Sequence, residues 1–241
     1  TPDIPTQAFQ NAIRKLETIR KLSMRLGAYP QLAFAANTQD QAVVTFMGTV
    51  EDRLAAVSNR TLFFTLWWKQ LEQAAADRLL AAAGDVRYWL EAQRMFRPHT
   101  LTEPEEKVIN IKNTTGVRAL QTLYDSITNR YVFKLEVDGE VKELTRGELA
   151  IYIRGSDPEL RAAAYRELHR VYAQDSSLLG QLFQALLRDY RNENLDLRHY
   201  AAPIAARNLE NDIPDEVVTT LLKVCRQNAP LFQRFFQLKA K

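Results

Sequence analysis

Residues 156–209 read SDPELRAAAYRELHRVYAQDSSLLGQLFQALLRDYRNENLDLRHYAAPIAARNL, and this stretch decides the fold class. A helix is expected to begin here, because Ser156 or Asp157 can accept the free N–H groups of a first turn and Pro158 suits that turn. Apolar residues follow at helical spacing, at Leu160, Ala164, Leu168 and Val171. A second helix from residue 178 to residue 190 carries two apolar residues per turn, which predicts burial on more than one side.

One short segment has a different period. From Tyr131 to Leu144 apolar and polar residues alternate, and Asp138-Gly139 is a typical two-residue hairpin turn. Elsewhere helical spacing prevails, and apolar residues between residues 43 and 57 form a heptad-like seam suited to packing along another long helix. The predicted fold is mainly α: a multi-helix array of long antiparallel helices with one small β-hairpin near residues 131–144.

Glycine and proline predict where several helices end. We expect Gly27 to end the first helix before a turn at Tyr29-Pro30, and Gly84 to end the helix that contains residues 62–83. We also expect Pro230 to kink or restart the last helix. The expected inner face of that helix consists of Val217, Leu221, Val224, Leu231, Phe235 and Leu238.

Composition narrows the class of protein. Hydrophobic residues make up 46% of the 241 positions, and 32 basic residues against 29 acidic ones leave a net charge of +3. Because the charges alternate along the helices, neither a nucleic acid nor an anionic membrane is indicated as a partner. No apolar run reaches the ~18 residues of a membrane span. Cys225 stands alone, which excludes an internal disulfide, fits a cytoplasmic location and predicts a small core residue.

The most aromatic stretch, LFFTLWW at residues 62–68, allows two interpretations. Exposed aromatic side chains concentrate at recognition surfaces, so the stretch could bind a partner. Aromatic side chains also fill the core where helical layers meet. We favour the core interpretation.

No catalytic motif is present. The chain has no nucleophile elbow, no glycine-rich phosphate loop and no Cys-x-x-Cys pair. Its histidines are His99, His169 and His199, none of which is four residues from another or followed by Glu. The sequence therefore assigns no catalytic and no metal-binding residue.

Several blocks, in order, resemble one family. They are RPHTLTEPEEKVIN, TGVRALQTLYDSIT, YVFKLEVDGEVKELTRGELAIYI, RGSDPELRAAAYRELHRVY and RHYAAPIAARNLENDIPDEVVTTLL. Together they look like successive blocks of the oligoendopeptidase F family, which are zinc metallopeptidases related to thimet oligopeptidase. The resemblance runs from about Phe96 to the end, and residues 1–95 are similar only in being helical.

The resemblance implies a part of such an enzyme. Family members carry His-Glu-x-x-His, in which two histidines bind zinc and the glutamate activates water. That motif would lie beyond Lys241, so zinc is expected in a C-terminal catalytic half and this chain is expected to be inactive alone. A chain starting at Thr1 and ending in FQLKAK is likewise expected to be cut from a longer one.

The resemblance also divides the chain into a helical region (1–113), an oligopeptidase-F N-terminal-type region (114–190) and the start of the catalytic domain (191–241). On this interpretation the chain forms walls of a channel for short peptides, and a homo-oligomer is possible. Arg198 could pair with a peptide carboxylate and Tyr200 could hydrogen-bond a peptide backbone, although a structural role is preferred for both. The alternative is a stand-alone helical protein-interaction module.

Overall fold

The computed structural model describes residues 1–240 and confirms the mainly α fold class. The helices are α1 (Thr6–Ala36), α2 (Gln41–Gln70), α3 (Gln73–Leu80), α4 (Arg87–Met95), α5 (Glu103–Thr115), α6 (Val117–Thr128), α7 (Arg146–Ile153), α8 (Pro158–Gln174), α9 (Ser176–Arg191), α10 (Pro203–Glu210) and α11 (Asp215–Lys239). Short 3-10 turns occupy Gly84–Val86 and Arg97–His99, and a π-helical turn occupies Asn192–Leu197. Apart from the first two residues, the chain divides into a first unit (3–66 and 102–189) and a second unit (67–101 and from 190 onward).

The predicted β-hairpin is present in the first unit. Strands β1 (Phe133–Val137) and β2 (Glu140–Leu144) pair antiparallel, with Phe133 opposite Leu144 and Val137 opposite Glu140. Asp138 and Gly139 both have positive φ, 54° and 82°, as a tight two-residue turn between twisted strands requires. The alternation seen in the sequence therefore matches the observed strands.

The inner face of the hairpin packs on α7 and α8. The buried cluster consists of Phe133, Leu135, Val137, Leu144, Leu149, Ala164 and Val171. At its edge the backbone N–H of Lys134 donates to Glu167 Oε1 at 2.8 Å, and Tyr131 Oη donates to Asp175 Oδ2 at 2.8 Å. Burial and the Asp175 carboxylate raise the pKa of Tyr131 to about 12. A two-stranded sheet is marginal alone, so this helical support is what holds it.

Side-chain caps mark the first residues of the two helices that follow the hairpin. Thr145 and Glu148 form a reciprocal capping box at the start of α7. At the start of α8, Asp157 Oδ1 accepts from the backbone N–H groups of Glu159 and Leu160. The start of α8 was predicted from the sequence and is confirmed.

Helix α1 is longer than predicted. It continues through Gly27 and through Pro30, so the predicted terminator and turn are both wrong. The reason lies in α2: a Cβ at Gly27 would sit only 3.2 Å from Leu54 Cδ1, so this glycine allows close approach of the two helices and does not end one. The α1–α2 pair is also joined by stacked rings of Phe9 and Phe64, with centroids 6.1 Å apart.

Helix α2 ends earlier than predicted. It ends at Gln70, and a separate helix α3 begins at Gln73, so Gly84 does not end a continuous helix. The guanidinium of Arg94 donates to the backbone oxygens of Trp68 and Leu71, each at 2.9 Å. Carbonyl groups at the end of a helix have no backbone N–H of a following turn to accept from. Here the Arg94 side chain of α4 donates to them instead.

The aromatic stretch at residues 62–68 belongs mainly to the core. Phe64, Leu66 and Trp68 are buried, which confirms the preferred interpretation for them, whereas Phe63 is exposed. Trp68 Nε1 donates to the backbone oxygen of Leu90 at 2.8 Å, so this buried polar group is satisfied.

Helices α9 and α11 are less buried than predicted. In α9 only Leu182 is buried, while Phe183 and Leu187 are exposed. In α11 no residue is buried. The predicted inner face of Val217, Leu221, Val224, Leu231, Phe235 and Leu238 is exposed, and so is Cys225, which was predicted to be a core residue. Helical periodicity predicted these helices correctly, but residues 1–240 bury only Leu182 in α9 and no residue in α11.

Two further predictions concern single features. Helix α11 runs without interruption through Pro230, so the predicted restart there is wrong, while a kink at Pro230 stays a prediction. Among residues 1–240, no helix combines the length and the apolar character needed to cross a lipid bilayer.

Candidate functional site

Arg198 and Tyr200, the predicted substrate-channel candidates, lie just after the π-helical turn Asn192–Leu197 in the second unit. Between them His199 has a φ of 56°, an uncommon left-handed conformation for a non-glycine residue. The backbone N–H of Tyr200 donates to Asn194 O at 2.9 Å, which folds the chain back on the turn. Irregular turns of this kind are frequent at functional sites.

The Arg198 side chain is held on two sides. Its Nε pairs with Glu193 Oε1 at 2.9 Å, and its Nη1 donates to His99 O at 3.2 Å. The Arg198 and Glu193 side chains are only 15% and 24% exposed. A charged hydrogen bond in this partly desolvated setting is stronger than a surface ion pair.

Tyr200 is covered by a histidine. Its ring stacks on that of His99, with centroids 3.7 Å apart and planes 15° apart, and the residue is only 8% exposed. His99 Nδ1 lies 2.8 Å from Arg198 O. Because a carbonyl oxygen can only accept, Nδ1 carries the proton in this bond. His99, Glu193, Arg198 and Tyr200 therefore form one cluster, here called the His99 clasp.

These contacts supply Arg198 and Tyr200 with structural partners. A direct role in binding peptides stays a prediction for both residues. The sequence did not indicate His99 as their partner, because 99 positions separate it from Arg198. No local pattern carries that information.

A second candidate lies in the first unit, where a cleft of about 1000 Å³ opens between α1, α2, α5 and α6. Phe34, Met47 and Val50 are buried residues that line it. Glu51 and Arg118 are charged residues on its wall. The sequence did not predict this cleft, because its walls come from helices far apart in the chain.

Two hydrogen bonds join α5 to α2 at the cleft. Asn110 Nδ2 donates to Asn59 Oδ1 at 2.8 Å and to Ser58 Oγ at 3.1 Å. Burial raises the pKa of the Glu51 carboxyl, and attraction to Arg118 opposes this shift without cancelling it. The cleft thus has an apolar floor and a partly desolvated carboxylate on its wall.

The residues described do not fit a zinc ion. Within residues 1–240, no three His, Cys, Asp or Glu side chains come together as a group that could bind a metal. His99 is engaged with Arg198 O and Tyr200, and His169 makes an edge contact with Tyr165.

Comparison with known proteins gives matches in sequence. A family model described as Oligopeptidase F matches residues 67–133, which begins well before the resemblance that starts near Phe96. Group B oligopeptidase PepB from Streptococcus agalactiae is 24% identical over 240 residues, which cover 96% of this chain and 40% of that protein. Oligoendopeptidase F from Lactococcus lactis subsp. cremoris is 26% identical over 119 residues, 49% of this chain and 20% of that protein.

A solved structure matches in fold. The crystal structure of oligoendopeptidase-F from Enterococcus faecium superposes with a TM-score of 0.83 at 20% identity, over 98% of this chain and 46% of that one. The chain thus spans less than half the length of the relatives it matches. In sequence and in fold, it resembles the N-terminal portion of oligoendopeptidase F proteins.

Proposed function

We propose that this chain is the non-catalytic N-terminal helical part of a zinc-dependent oligoendopeptidase and forms walls of the channel that admits short peptides. The observation that carries the proposal is the fold match, which takes in 98% of this chain but only 46% of the Enterococcus faecium protein. A channel wall contributes by selecting peptides for size and by positioning them, and the bond is broken elsewhere. We further propose that the protein is cytoplasmic.

The exposed face of α11 supports this proposal. The helix has 25 residues and none of them is buried, although Leu221, Phe232 and Phe235 are large apolar side chains on it. An apolar surface of this extent is costly to leave in water. On our proposal it is covered by the C-terminal catalytic half of the same protein, which supplies the zinc site.

Peptide hydrolysis tests the proposal. The 241-residue chain should leave an internally quenched short peptide uncut with or without added zinc. The protein translated from the whole gene should cut the same peptide and lose that activity when a chelator removes zinc. Zinc-dependent hydrolysis by the 241-residue chain would contradict the proposal, as would a gene without His-Glu-x-x-His after the codon for Lys241.

The channel-wall role has a separate test. A form of the whole-gene protein that lacks residues 1–241 should, if it folds, lose its discrimination between short peptides and a folded protein substrate. The alternative, a stand-alone interaction module, also uses the exposed face of α11. A gene that ends at Lys241, together with a stable dimer of the chain in light scattering, would favour that alternative.

A further inference from the structure

Glu51 is a half-buried carboxylate that lacks a hydrogen-bonded partner among residues 1–240. It is half-buried in α2, on the wall of a cleft whose lining includes the apolar residues Phe34, Met47 and Val50. Within the described part of the chain, its side chain forms neither a hydrogen bond nor an ion pair. A partly buried carboxylate normally gains a partner, because desolvation is otherwise uncompensated.

The neighbouring charges do not provide that partner. Arg118 attracts Glu51, but burial has the larger effect and keeps the pKa of the carboxyl above its ordinary value. Arg118 itself is exposed on α6 and remains hydrated. Asp125, further along α6, adds a second carboxylate to the lining of the same cleft. A cationic group of a ligand that enters the cleft would therefore meet the carboxylates of Glu51 and Asp125 and the hydrated guanidinium of Arg118.

The size and apolar floor of the cleft favour a lysine or arginine side chain as the cationic group. Its volume of about 1000 Å³ is large enough for several residues of an extended chain. Lysine and arginine side chains have apolar stems and charged ends, so they can lie along an apolar floor while the end reaches a carboxylate. Met47 and Val50 stand within one helical turn of Glu51 and offer such a floor.

We propose that this cleft binds an extended peptide and that Glu51 pairs with a lysine or arginine side chain of that peptide. The peptide nature of the ligand rests on the proposed function, whereas the preference for a basic side chain rests on the cleft alone. Glu51 is a specificity-determining residue in this proposal and takes no part in bond cleavage.

Binding to the 241-residue chain tests the proposal without any hydrolysis. A fluorescein-labelled short peptide with one central lysine is compared, by anisotropy, with the same peptide carrying norleucine. The lysine peptide should bind about five-fold more tightly, the effect of one partly shielded ion pair. In Glu51→Gln the two peptides should bind equally. In the matched control Glu136→Gln, an exposed position of β1 outside the cleft lining, the preference should remain.

Three outcomes would contradict the proposed role of Glu51. Equal binding of both peptides to the unmodified chain, no binding of either, or an undiminished preference in Glu51→Gln overturns the assignment. Thermal unfolding of each variant shows whether it is folded. The proposed peptidase function is judged separately by hydrolysis in the whole-gene protein, so this site can fail while that function stands.

Discussion

Replacing Arg198 by alanine should destabilise the second unit far more than replacing Arg207. Arg198 donates to Glu193 at 2.9 Å and to His99 O at 3.2 Å, and both charged side chains are largely shielded from water. The pair Arg207–Glu210 is longer, 3.6 Å, and its side chains are 66% and 55% exposed. Both arginines belong to the second unit and each pairs with its own glutamate, but only the Arg198 pair is largely shielded from water.

The expected magnitude follows from these contacts. A hydrogen bond to a charged group contributes about 1.5–3 kcal/mol, and the bond to His99 O adds about 1 kcal/mol, so Arg198→Ala should cost about 2.5–4 kcal/mol. Loss of the exposed Arg207 pair should cost about 0–1 kcal/mol. With a urea slope of about 2 kcal/mol/M, the Arg198 variant should unfold at a urea concentration lower by about 1–2 M.

Tryptophan fluorescence is a suitable probe for this comparison. Trp67, Trp68 and Trp89 all belong to the second unit, which also contains Arg198 and Arg207. Arg198→Lys keeps the charge but not the fork of donors, so it should fall between the native chain and Arg198→Ala. Equal midpoints for the Arg198 and Arg207 alanine variants would refute a stabilising role of the largely shielded Arg198–Glu193 pair.

The remaining predictions concern packing, pH and thiol exposure. Leu149→Ala, at a fully buried position, should speed hydrogen exchange across the hairpin and cost about 2–5 kcal/mol, whereas Ile151→Ala, 70% exposed on the same helix, should cost under about 0.5 kcal/mol. Glu51→Gln should raise the melting temperature at neutral pH, because burial raises the pKa of this carboxyl and its charged form is disfavoured; the gain should vanish below pH 4.5, where both side chains are neutral. Glu167→Gln should do the opposite, because hydrogen bonds from Arg170 lower the pKa of Glu167, and its deficit should shrink as pH falls through that lowered pKa. Cys225 should react completely with a thiol reagent in the native chain, and slow labelling would contradict its exposure.

Local patterns predicted most elements but not every end. The cap at Asp157 and the Asp138-Gly139 turn could be predicted from the sequence because each acts within a few residues. Gly27 misled the prediction, since whether a glycine ends a helix depends on what packs against it. At Gly27 that neighbour is Leu54, and 27 positions separate the two.

The candidate sites show the same limit more strongly. Arg198 and Tyr200 were chosen from the sequence, but their partner His99 could not be, and the cleft at Glu51 was not anticipated at all. Both sites are assembled from segments distant in the chain, where side-chain identity gives no hint of proximity. The family resemblance predicted the fold, but it did not predict the contacts of His99 or the cleft at Glu51.

The sequence alone determined that this protein is built of amphipathic helices with one hairpin, because periodicity, capping and turn chemistry act over a few residues. Only the tertiary structure decided which apolar faces are buried: Leu149 is fully covered, while the equally periodic face of α11 is exposed. The tertiary structure also determined that Arg94 hydrogen-bonds the carbonyl groups at the end of α2 and that Glu51 lines a cleft. Burial depends on which surfaces meet across the fold, and sequence spacing within one helix cannot specify that.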